Sequence, residues 1–339
     1  MELGIPQSRP SGTSSAGVFV LCAACILLLG LATVGALGFG DYPIPFGALT
    51  QVLLFGGASD RAFIIHELRL PRLLTGLLAG AGLGMAGAIV QSITRNPLGE
   101  PSLMGVTAGS AFAMVVCMTL FDLTAPVMLA WGTIGGLCAA LLTFGISYRM
   151  RLEPLYLTLT GMSVNLFFAA AIIVLLVSSK VEANGIYYWL TGSLANRTWQ
   201  HVHLLWPWAL LGLGLGIGLA RILDLLSLDD AVLASLGLRV QRWRLMLGLA
   251  AVILTAATVA ATGPIAFIGL VSPHIVRFGL GQRGGTLGHA RLLPLSALVG
   301  ASLVCTTDLI AKWQEVPVGI LCVLLGGPLL VHLINKRGS

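Results

Sequence analysis

Charge is what this sequence has least of. Only 9% of its 339 residues are Asp, Glu, Lys or Arg, where a soluble domain carries about 25%. With 57% of the chain hydrophobic, water-facing domains could not bury the apolar surface. Also absent is any GxxxxGK[ST] stretch, the backbone loop that cradles nucleotide phosphates. If ATP is used, a separate subunit must hydrolyse it. No Ser/His/Asp or paired-carboxylate arrangement is suggested by spacing, which disfavours a membrane-embedded enzyme. Most acids fall at expected helix ends or in loops, with Asp308 the main exception. That pattern argues against an ion-coupled carrier, which places ionisable groups deep in its helices. There is no fixed-period repeat, low-complexity tract or extramembrane domain.

What the sequence does have is long apolar runs. Spans are expected near 18–38, 73–94, 103–121, 126–147, 155–178, 202–222, 245–262, 264–278, 293–311 and 316–334, each read against the roughly 20 residues a membrane crossing needs. The fold class is therefore all-α and polytopic, with about ten helices. A single membrane domain over 18–335 is expected between a cytoplasmic tail at 1–17 and a short one at 336–339. The first run is longer than the core of a signal peptide, so it reads as an uncleaved span. The eighth contains Ser272, Pro273 and His274, which suggests an interrupted helix shielded by protein or lining a cavity.

The net charge of +6 comes from basic residues scattered between apolar runs, which fits membrane orientation and not nucleic-acid binding. An even number of spans with the N-terminus inside places Arg9, Arg95, Arg149, Arg151, Arg221, Arg239, Arg242, Arg244, Arg277, Arg283, Arg291, Lys336 and Arg337 in the cytoplasm. Arg61, Arg69, Arg72, Lys180, Arg197 and Lys312 are left on the outer side. All six cysteines, Cys22, Cys25, Cys117, Cys138, Cys305 and Cys322, lie in apolar runs and read as packing residues, not as a disulfide or metal framework. Rows of small residues, Gly76, Gly80, Gly84 and Ala88, then Gly212 with Gly216 and Gly214 with Gly218, suit close helix packing in lipid.

Three polar interruptions stand out. Arg69-Leu70-Pro71-Arg72 leads into the second span, and two outward guanidiniums call for an anionic partner or lipid phosphates. The stretch 91–101, QSITRNPLGEP, is a turn that can be a simple tight connection. The stretch 227–244, SLDDAVLASLGLRVQRWR, reads as two short helices around Gly237, with Asp229 and Asp230 capping the first and Val232, Leu233 and Leu236 giving it an apolar face. Such a surface suits a docking partner or the membrane interface.

Taken in order, RLPR at 69–72, NPLGEP at 96–101, ASLG at 234–237, GPIAFIGLVSPHIVR at 263–277, LLPLSALVGA at 292–301 and EVPVG at 315–319 resemble the permeases of bacterial type II ATP-binding-cassette (ABC) importers for iron-siderophores, haem and vitamin B12. The resemblance spans roughly residues 20–335. It implies ten helices in the bacterial inner membrane and a second permease chain, identical or related. It also implies two ATPase subunits that bind ATP and Mg, an extracytoplasmic binding protein, and no cofactor in this chain. Arg69, Arg72 and Lys312 match the outer basic residues that dock the binding protein, although lysine lacks the bidentate fork of arginine. Asn96 and Leu98, with Glu153, Pro154 and Leu155, fall where the family forms its cytoplasmic gate. Gly99 stands where alanine is usual. Asp229, Asp230, Leu233, Ala234, Ser235, Leu236 and Gly237 fall in the segment that couples to the ATPase. A ferric siderophore is the expected cargo, with haem and B12 as alternatives and a stand-alone carrier as the rival from another class.

Overall fold

Apolar runs bounded by proline, glycine and polar clusters become helices. The computed structural model describes residues 15–55, 59–121, 123–179, 184–280 and 287–338. Arg9, Lys180 and Arg283 lie outside them. In chain order the helices are α1 (Ser15–Gly38), α2 (Phe46–Phe55), α3 (Asp60–Phe63), α4 (Leu70–Ile93), α5 (Val106–Leu120), α6 (Ala125–Tyr148), α7 (Pro154–Ser178) and α8 (Asn184–Leu190). They continue as α9 (Trp199–Gly218), α10 (Ala220–Leu226), α11 (Asp230–Ser235), α12 (Val240–Thr262), α13 (Ile268–Gly279), α14 (His289–Gln314) and α15 (Val318–Gly338). Proline opens α4, α6 and α7, where its missing N–H costs nothing. Thr198 and His201 form a reciprocal cap at the start of α9.

Among the described residues, seven helices are long and apolar enough to cross a membrane, and α5 is a shorter apolar helix of 15 residues. α15 adds a further apolar stretch over Val318–Val331. The expected eighth span is the 12-residue α13, about 18 Å long against a hydrocarbon core of about 30 Å. Residues 263–266 ahead of it are not helical. α13 begins opposite the second half of α4, for a Cβ on Gly87 would lie 1.8 Å from the Gly269 carbonyl oxygen. Its first turn is held by the Glu100 carboxylate, which accepts a 2.8 Å hydrogen bond from the Phe267 N–H. A half-length helix with non-helical backbone ahead of it is tolerated because protein surrounds both: residues 268–274 are buried, and 263–267 are buried or half-buried.

The core is built on α4, packed by α14, α12, α13 and α9. A Cβ on Gly80 would stand 2.4 Å from the Gly300 carbonyl oxygen, and one on Gly84 2.2 Å from that of Ser296. The two backbones therefore touch directly, as the small-residue row suggested. On α9 only one of the two rows is used: Gly212 faces Leu254 and Gly216 faces Met85, whereas Gly214 and Gly218 meet nothing within 4 Å. α3 runs into α4 through a π-helical turn at Ile64–Arg69, making one rod from Asp60 to Ile93. α4 sets Arg72 and Arg95 at opposite ends of the bundle, about 35 Å apart at 1.5 Å per residue.

Candidate functional site

At the Arg72 end, the three expected docking residues share one cavity of about 470 Å³, lined also by Asp41, Glu67, Arg197 and Asp308. None of the three is idle. Arg69 is buried and donates through Nη1 to the Leu37 carbonyl and through Nη2 to that of Tyr42, both at 2.6 Å. Arg72 forks onto Asp308 with two 2.8 Å bonds. Lys312 Nζ donates to the Phe39 carbonyl at 2.7 Å and that of Ala36 at 3.2 Å. The guanidinium of Arg69 and the ammonium of Lys312 thus close the carbonyl end of α1, a favourable place for cations. Asp308, flagged as a deep acid, is 6% exposed and neutralised by Arg72. Arg197 sits in the connection before α9, donating to the Ser193 carbonyl at 3.2 Å with its Nη1 3.0 Å from His201 Nε2. Desolvation, with Arg72 adding repulsion, pushes its pKa down to about 10. The cavity therefore holds four cations against three acids.

At the other end, the loops after α4 and α6 carry the expected gate residues. Asn96 Oδ1 accepts the Leu98 N–H at 2.9 Å, an Asx turn that projects Leu98 outward. Leu98 is 49% and Leu155 64% exposed. Glu153 is exposed as well, and Pro154 opens α7. The expected helix around the glycine is α11. Asp229 caps it, accepting the Ala231 N–H at 3.2 Å, and Gly237 at φ +74° ends it. Leu233 is buried while Val232 and Leu236 are exposed. Two details differ from expectation. Asp230 does not cap; it pairs with Arg95 at 2.7 Å and Arg244 at 2.9 Å. The second short helix is absent, because the chain after Gly237 passes straight into α12 at Val240 and its apolar run propagates the same helix.

Residues 25–336 match the FecCD transport family. The chain belongs to that family. It is 37% identical to the Fe(3+) dicitrate transport system permease protein FecD of Escherichia coli (strain K12) over 321 residues, covering 92% of this chain and 98% of that protein. It is 32% identical to the iron(3+)-hydroxamate import system permease protein FhuG of Bacillus subtilis (strain 168) over 332 residues, 94% of this chain and 97% of that one. Among solved structures, a metal-chelate type ABC transporter in an inward-facing conformation matches with a TM-score of 0.82 and 31% identity over 94% of this chain and 99% of that chain.

Within this FecCD chain, spacing missed several polar contacts. Asp224 Oδ1 lies 2.7 Å from His289 Nδ1 and accepts the His289 N–H at 2.8 Å, while His289 Nε2 lies 2.7 Å from Ser92 Oγ. The order resembles a hydrolytic triad, yet Ser92 Oγ also donates to the Ala88 carbonyl at 2.8 Å, so the arrangement ties α4, α10 and α14 together. Glu100 and Arg197 were likewise unassigned. Glu100 holds Phe267, 167 positions away, and Arg197, although it bonds Ser193 and His201 four residues to either side, lines a cavity that only the fold creates. The one legible sign for Glu100 was its place between two prolines in NPLGEP.

Proposed function

We propose that this chain is the membrane permease subunit of an ABC importer for ferric chelates. Two ATPase subunits bind ATP and Mg at the Asp230 end, and an extracytoplasmic binding protein docks at the Arg72 end. A second permease chain, identical or related, completes the pathway, with both termini in the cytoplasm of a bacterial inner membrane. The observation that carries the reading is similarity along nearly the full length to permeases of ferric citrate and ferric hydroxamate systems. Since both relatives are similar to a like degree, the cargo is given as a class, ferric chelates, with citrate and hydroxamate complexes first.

The geometry supports this division of labour. A cavity lined by Arg69, Arg72, Arg197 and Lys312 suits carboxylates of a docking protein. An exposed apolar edge at Val232 and Leu236 on a short capped helix suits a cleft in a soluble partner. Nucleotide binding in that partner biases two states of the permease, and no bond chemistry takes place in this chain. Reconstitution in liposomes tests the proposal. With the ATPase subunits and the loaded binding protein present, radiolabelled ferric citrate or a ferric hydroxamate enters only when ATP is supplied. Uptake by the permease alone, driven by an ion gradient, would overturn it in favour of a secondary carrier.

A further inference from the structure

Asp230, the first residue of α11, accepts three charge-assisted hydrogen bonds from two arginines. Its Oδ1 accepts from Arg95 Nη2 at 2.7 Å and from Arg244 Nη2 at 2.9 Å, and its Oδ2 from Arg244 Nη1 at 3.0 Å. Each arginine leads to a different loop. Arg95 directly precedes Asn96, and the same guanidinium donates to the carbonyls of Leu226 and Leu228 on either side of Ser227. Arg244, 1% exposed in the first turns of α12, also reaches the Leu152 carbonyl at 3.4 Å, the residue before Glu153. Three residues in the two turns at this junction are left-handed: Arg95 at φ 49°, Arg151 at φ 55° and Leu152 at φ 53°. Non-glycine residues held there cost of order 1 kcal/mol each and persist where surrounding contacts determine them.

We propose that Asp230 is the joint through which α11 moves the two loops carrying Asn96, Leu98, Glu153 and Leu155. The proposal rests on the reading that α11 contacts the ATPase. A displacement of α11 cannot leave Arg95 behind without breaking its charge-assisted bond to Asp230, and the bonds of the same guanidinium to the Leu226 and Leu228 carbonyls tie it to the connection that leads into α11. It cannot leave Arg244 behind without exposing a buried guanidinium to no counter-ion. The loops are the softer partners, because each is a short turn whose strained residue lies next to the joint. Asp230 and Arg95 are thus positioning residues that transmit motion and touch no cargo.

Arg95→Gln separates this role from a merely structural one. It releases the 94–99 turn yet leaves the Arg244–Asp230 pair intact, so no buried charge is orphaned. Spin labels at Leu98→Cys and Leu236→Cys, both exposed positions, report on the turn and on α11 in the assembled importer, with exposed Cys138 replaced by serine. In the parent, ATP shifts both labels. In Arg95→Gln the Leu236 label still responds, the Leu98 label does not, and chelate imported per ATP hydrolysed falls about tenfold. If the Leu98 label moves in the variant as in the parent, the joint is overturned while the ATPase contact stands. If the Leu236 label does not respond even in the parent, the ATPase contact itself is wrong and this inference falls with it.

Discussion

At the scale of single residues, the outer arginines are engaged before any partner arrives. Arg72 neutralises Asp308, whose side chain is 8% exposed, so its removal leaves a buried carboxylate without a counter-ion, a change that costs about 3–5 kcal/mol. Arg72→Gln is therefore expected to lower the thermal unfolding temperature of the detergent-solubilised permease markedly. Adding Asp308→Asn should recover most of that loss, since the unpaired charge is then gone. Docking separates from folding in the double variant: weaker affinity for the loaded binding protein with near-normal thermal stability assigns Arg72 to the interface. Full affinity would leave it only a structural ion. Reversing the charge of Arg69 and Arg72 together is a poor test. Arg69 also holds the Leu37 and Tyr42 carbonyls, and such a variant loses fold and contact at once.

At the scale of elements, glycines carry two separable jobs. Gly84 lies where a Cβ would meet the Ser296 carbonyl oxygen at 2.2 Å, and Gly214 where it would meet nothing within 4 Å. Gly84→Ala should destabilise the α4–α14 contact by about 1–3 kcal/mol, the usual penalty of overpacking, while Gly214→Ala should leave thermal unfolding unchanged or slightly improved. Equal behaviour of the two would mean that α4 and α14 are not in backbone contact. Gly237 differs again, because its constraint is conformational. It sits at φ +74° with open space beyond, so Ala and Trp carry the same backbone strain of about 1 kcal/mol. Gly237→Ala and Gly237→Trp should unfold alike as isolated permeases, yet only the tryptophan should abolish co-purification with the ATPase. Loss of neither association would remove α11 from that interface.

At the scale of the molecule, long elements were legible and the joints between them were not. Each of the ten spans expected from apolar runs has a helix over most of its length, but the interruption expected in the eighth falls elsewhere: α13 runs unbroken through Ser272, Pro273 and His274, and is short because residues 263–266 ahead of it are not helical. α2 escaped notice because its 10 residues fall below crossing length, and spacing rules look for crossings. Asp230 read as a cap because local signals see only nearby residues, whereas Arg95 lies 135 positions away. The exposed face of α7 poses the remaining large question. Leu166, Phe167 and Val177 are 67%, 66% and 81% exposed, and Leu155 at its first turn lies at the same end as Leu98. If a second permease chain approaches there, Leu155 meets its counterpart near the two-fold axis. Cysteines at position 155 and at the matching position of the partner permease should then form a disulfide in one nucleotide state and not in the other, since bonding needs Cα atoms within about 7 Å. Gel mobility under oxidising conditions, with and without ATP, reads this directly. Absence of the crosslink in every state would place Leu155 against lipid and move the gate elsewhere.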